Sequence, residues 1–186
     1  MQERKLLLLS GGVESTAILT TLDPTVDVAV VVSHYVNGKP WPVPNNDYEL
    51  VKKIAFHYRF YHLIKYDINY NHMIGMDVTN GRQRFSLISA ALSLCYRMPA
   101  IREILTGFHS DEYEDLGFLE DANKVFNTMF PYIKIHAPLK HLTKAQQWDM
   151  IADEVKPYVR SCYITDEDDH DPSTCEKCID FTKCCT

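Results

Sequence analysis

Two clusters in the 186-residue chain have residue types and spacing suited to chemistry: "SGGVEST" at positions 10–16, and Cys175, Cys178, Cys184 and Cys185 near the carboxyl end. In the first, Gly11 and Gly12 allow backbone angles and a close approach that side chains would block, while Ser10, Ser15 and Thr16 carry hydroxyls able to donate to an anion. The run "KLLLL" leads straight into this loop. A strand that ends in such a loop and restarts as a helix aims backbone N–H groups and the positive end of the helix dipole at one spot, a natural place for phosphate. The glycines alone read equally as a tight turn with a serine cap, and the Gly-Lys-Ser/Thr ending of a Walker loop is absent. In the second cluster, Cys175 and Cys178 form the Cys-x-x-Cys knuckle of a tetrahedral thiolate site for zinc, with a redox dithiol or unpaired cysteines as the rival readings.

These residues need elements to position them, and the apolar pattern supplies them. Short apolar runs at 5–9, 26–32, 61–66, 101–106 and 132–136 predict strands. Helices are expected at 13–22, 47–57, 84–96 and 119–130, and from a Thr143/Gln146 capping box to about residue 155. The proline-rich "NGKPWPVPNN", the stretch 69–83 and "GFHSDEYEDLGF" read as loops. Strands alternating with helices predict an α/β fold with a doubly wound, Rossmann-type parallel sheet. Ligands then bind at the carboxyl ends of the strands, which puts loop 10–16, Ser33, Tyr35 and Gly107 to Asp111 on one rim. The organisation expected is one domain at 1–160 and a cysteine-rich zinc-binding tail at 161–186.

Charge and composition narrow the partners. With 19 basic and 25 acidic residues the net charge is −6, which argues against an extended nucleic-acid footprint and favours a small-molecule substrate. No apolar run reaches membrane-spanning length, so neither a membrane segment nor a secretory signal is expected, and a cytoplasmic protein is. Clustered cysteines without such a signal read as metal ligands rather than disulfides; Cys95, within an apolar helix, reads as a small core residue.

The string "SGGVEST" resembles the Ser-Gly-Gly-x-Asp-Ser loop of the N-type ATP pyrophosphatases, with Glu14 where that superfamily has aspartate. Further segments occur in the order found in 7-cyano-7-deazaguanine synthases (QueC-like proteins). "NGRQ" before an alanine-rich helix is similar to their Gly-Arg-Asn stretch, and "LTGFHSDEYEDLGFLEDANKVF" keeps Gly107, Asp111, Asp121 and Phe126 of a further motif, though His109 and Leu119 depart from it. "APLKHLTKAQQ" resembles a Pro-Leu, Thr-Lys-Ala stretch, and "SCY" with the later cysteines resembles the terminal zinc site.

The resemblance implies an adenine nucleotide alpha hydrolase-like fold and an ATP-dependent C–N ligase. ATP would lie against Ser10, Gly11, Gly12, Val13, Glu14, Ser15, Thr16, Ser33, Arg82 and Gly107, with Mg²⁺. Ser10, Glu14, Ser15, Arg82 and Lys144 would serve catalysis, and Tyr35, Asp111 and Asp121 the substrate. Zn²⁺ would be held by Cys162, Cys175, Cys178 and Cys184. Cys185 substitutes for Cys184 and His170 is a weaker ligand, because Phe181 occupies the place of the usual fourth cysteine. The implied reaction takes 7-carboxy-7-deazaguanine and ammonia to the nitrile in the queuosine or a related 7-deazaguanine pathway. The loop before Gly81 is short, and the Gly-Gln-Arg usual after the second strand is missing after Tyr35. Other acceptors therefore stay open, among them a peptide carboxyl end in antiphage defence, as does a nucleotide- and zinc-binding module without catalysis. A homodimer and a protein partner are also left open.

Overall fold

The computed structural model describes residues 2–36, 39–40, 48–69, 82–107, 110, 113–160 and 181–182. In chain order these form β1 (Arg4–Leu8), α1 (Val13–Leu19), β2 (Val28–Val36), β3 (Lys39–Pro40), α2 (Tyr48–His57), β4 (Leu63–Asn69), α3 (Arg82–Arg97), β5 (Ile101–Leu105), α4 (Tyr113–Asn127), β6 (Lys134–His136) and α5 (Lys144–Asp149). Five strands run parallel in the order β4-β2-β1-β5-β6. The consecutive leucines are explained by the central place of β1, which buries both faces. Leu6 and Leu8 pack with Val28, Val30 and Val32 under α3 and α4. Leu7 and Leu9 pack on the opposite face with Ala29, Val31, and apolar residues of α1 and α2. The chain builds outward from β1 through β2 to β4, then returns to place β5 and β6 on the other side. The order reverses between β1 and β5, so a crevice is expected where those two strands end.

Several boundaries differ from the sequence expectation. Within the proline-rich stretch, Lys39 and Pro40 form a two-residue antiparallel strand against Val36 and Tyr35, an edge position where proline costs no central ladder bond. Helix α4 runs Tyr113–Asn127 rather than 119–130, and Gly117 within it has open space around it. Helix α1 ends at Leu19 rather than residue 22, as the Thr20 and Thr21 hydroxyls donate back to the carbonyls of Ala17 and Ile18, both at 2.8 Å. Helix α5 stops at Asp149 instead of continuing to 155. There the Met150 and Ile151 N–H groups turn to the tighter i−3 carbonyls, and the Ala152 N–H donates to the Tyr58 hydroxyl at 3.0 Å. A 3-10 turn at Lys156–Tyr158 follows. No helix among the described residues is long and apolar enough to cross a membrane.

Cys95 sits in the core cluster below α3, 1% exposed, as a small apolar residue would. Burial pushes its thiol from the ordinary 9.0 up to about 12. The native state thus keeps a proton that the unfolded chain releases above pH 9, so this contribution to stability is whole below that pH and is lost as pH climbs toward 12. Urea unfolding at about pH 8 and about pH 10 should show the natural chain losing more stability across the interval than Cys95→Ala does.

Candidate functional site

At the end of β1 the chain turns sharply through Gly11, whose φ of +79° is a left-handed angle that glycine adopts without strain. The turn is held from two sides. The Gly11 carbonyl accepts from the Arg160 N–H at 3.0 Å, and a β-carbon on Gly11 would lie 3.0 Å from Val51 Cγ2 of α2. Gly12 caps α1 without a side chain. Its N–H donates instead to Ser10 Oγ at 3.3 Å, Ser10 Oγ lies 2.9 Å from Ser15 Oγ, and the Ser10 N–H donates to Ser15 Oγ at 3.2 Å. Ser15 Oγ also donates to the Gly12 carbonyl at 3.3 Å. Two hydroxyls therefore close a small ring that fixes the loop's shape, and both can turn outward to an anion arriving at the helix start.

The end of β5 presses against the same place. A β-carbon on Gly107 would stand 2.6 Å from Glu14 Cβ and 2.9 Å from the Ser15 nitrogen, so the strand exit runs flush with the first turn of α1. Glycine is required here for space rather than for angle. Three residues later, the Ser110 N–H donates to the Leu142 carbonyl at 3.0 Å, which ties this loop to the approach to α5.

Helix α5 supplies the site's cation. The expected capping box forms: Thr143 Oγ1 accepts from the Gln146 N–H at 3.2 Å, while Gln146 Oε1 accepts from the Thr143 N–H at 2.9 Å. Wholly buried Gln147 donates to the carbonyls of Leu139 at 3.0 Å and Leu142 at 3.4 Å, fixing the preceding turn. Lys144 is thereby carried to within 3.4 Å of Glu14 Oε1, with its side chain 6% exposed against 20% for Glu14. Sequence reasoning offered both residues, but not that they would meet.

Other expected residues are placed as follows. Val13 and Thr16 are wholly buried, and the Thr16 hydroxyl has no hydrogen-bond partner among the described residues. Asp121 is exposed on α4 and pairs with Lys124 at 2.9 Å rather than with a loop residue. Ser33 and Tyr35 lie on β2, in register with Asp67 and Asn69 of β4, and Arg82 opens α3; their side chains lie outside what is described. Asp111, Cys162, Cys175, Cys178, Cys184, Cys185 and His170 lie outside the described residues. Phe181, where a cysteine was expected by resemblance, packs its ring edge-on to Trp148 with centroids 5.2 Å apart. Arg160 was missed altogether, since a backbone hydrogen bond leaves no mark on residue type; Gln147 was missed because a buried glutamine looks like a surface one.

The family model described as queuosine biosynthesis protein QueC matches residues 74–184, more than half of the chain. The match takes in Arg82, Gly107, Lys144 and the cysteine-rich end; loop 10–12 lies ahead of it. No curated protein matches the chain. The joint between β5 and α1 is directly testable. Gly107→Ala should destabilise the fold by about 1–3 kcal/mol in urea unfolding, as overpacking does, and should shift the Ser10 and Ser15 amide resonances more than those of α3.

Proposed function

This chain belongs to the QueC family, and we propose that it uses ATP to adenylate a carboxylate, taking 7-carboxy-7-deazaguanine and ammonia to the 7-cyano base. The observation that carries the reading is the meeting of Gly107 and Lys144 with the first turn of α1, just after loop 10–12, where the strand order reverses. A polyphosphate lying there would meet the Ser10 and Ser15 hydroxyls, backbone N–H groups at the start of α1, and one lysine. That set neutralises charge building on a leaving pyrophosphate, which is most of what a protein contributes to such a transfer.

In the proposed sequence a substrate carboxylate oxygen attacks the α-phosphorus of ATP, the bond to the β-phosphate oxygen breaks, and pyrophosphate leaves. Ammonia then attacks the acyl carbon; AMP departs with the electron pair and a proton is released, giving the amide. The amide oxygen then attacks the α-phosphorus of a second ATP, expelling a second pyrophosphate as one N–H proton is lost; departure of AMP with its electron pair and loss of the remaining N–H proton leave the nitrile. Ser10 and Ser15 orient the phosphates throughout, and Arg82 at the start of α3 is assigned to the same task from its place in the family motif. Magnesium would supply further charge neutralisation, and the Ser10 and Ser15 hydroxyls on the rim are oxygen donors that suit a hard cation. Four thiolates are the donor set of a structural zinc site, and Cys162, Cys175, Cys178 and Cys184 would hold one. Phe181, which lies between Cys178 and Cys184 in sequence, packs its ring against Trp148.

The test is incubation with ATP, Mg²⁺, ammonium and 7-carboxy-7-deazaguanine, followed by quantitation of AMP and pyrophosphate and the mass of the base. The expected result is a base of nitrile mass with two AMP released per turnover. Release of AMP only with a peptide carboxyl end would move the acceptor, and ATP binding without AMP release would overturn the enzymatic reading.

A further inference from the structure

Glu14 and Lys144 meet with both backbones held. Gly107 lies flush against the Glu14 β-carbon, so α1 cannot settle closer to β5. On the other side the Thr143 capping box and the buried Gln147 amide fix α5 and the turn before it. The Lys144 side chain is 6% exposed, and Glu14 Oε1 at 3.4 Å is the only carboxylate oxygen that meets it among the described residues. A buried ammonium is strongly disfavoured without such a partner.

With both ends fixed, the length of the acid's arm decides whether the pair forms. Shortening it by one carbon–carbon bond, about 1.5 Å, would carry the carboxylate past the ~4 Å range of an ion pair. The other Glu14 oxygen lies 3.4 Å from where Gly12 would carry a β-carbon, so the carboxylate stands between the ammonium and the glycine loop. We propose that Glu14 is a positioning residue: its glutamate-length arm holds the Lys144 ammonium beside loop 10–12, where an incoming polyphosphate replaces it as partner. The identity of the ligand rests on the phosphate-site reading above; the positioning rests on the ion pair.

Two measurements separate these layers. In lysine-¹⁵N-labelled protein without ligand, the Lys144 ammonium should give a slowly exchanging proton–nitrogen correlation. Glu14→Asp should lose or displace it, whereas Glu14→Gln, which keeps the arm and an acceptor oxygen, should retain it. Calorimetry with tripolyphosphate in EDTA then compares the natural chain, Glu14→Asp, Lys144→Met and the double variant. Binding should weaken about tenfold in Glu14→Asp, a coupling usual for residues in contact, and the double variant should bind no worse than Lys144→Met. An unchanged ammonium signal in Glu14→Asp would overturn the proposal. So would a Glu14→Asp loss that persists in the Lys144→Met background, or one that appears only when Mg²⁺ is added, since either makes Glu14 a ligand in its own right. If Glu14→Asp does not fold, loss of the signal in Glu14→Gln decides against the role of the arm. If the natural chain binds no tripolyphosphate, the phosphate-site reading fails while the ammonium signal still decides the positioning.

Discussion

The contact between Gly107 and the first turn of α1 sets the geometry around it. Two chain segments almost a hundred residues apart meet there with no side chain between them, because a single β-carbon would stand 2.6 Å from Glu14 Cβ. The closeness brings the ends of β1 and β5 into one surface. It also fixes the direction in which Glu14 leaves its helix, and hence the place where Lys144 can find it. Three strand-to-helix segments thus converge on one point, and the parallel sheet supplies the rigid frame that keeps them there.

Charge and burial are balanced at that point. Lys144 would be an unusual residue to bury alone, and Glu14 an unusual one to place at a glycine loop. Paired, each offsets part of the other's cost of leaving water. The hydroxyl ring of Ser10 and Ser15 works similarly: each hydroxyl finds its partner within the loop, and either can reorient by rotation alone.

Much of this was legible in residue types. The leucine run gave a strand buried on both faces, and β1 is the central strand with Leu6 and Leu7 wholly enclosed. The strand-to-helix turn at the glycines, the Thr143 capping box, and the alternation of strands and helices read correctly because each is a local pattern. Helix ends read less well where tertiary partners override the chain's own period: the Tyr58 hydroxyl takes the Ala152 N–H and α5 ends early. The site was half legible. Ser10, Glu14, Gly107 and Lys144 could each be named from motifs, but the distance between an acid at 14 and a base at 144 is a property of the fold. Asp121 shows the reverse case, a motif residue that lies on the solvent face of α4 beside Lys124.

The bond from the Arg160 N–H to the Gly11 carbonyl has a consequence of another kind. It joins the segment leading to the cysteine-rich end to the tightest turn of the loop, yet it uses only atoms that nearly every residue possesses. Selection acting on it would reject proline at 160 and accept almost anything else. A mechanical link between two distant stretches of a chain can therefore drift freely in sequence while staying fixed in space, and a map of invariant positions would pass over the thread that holds them together.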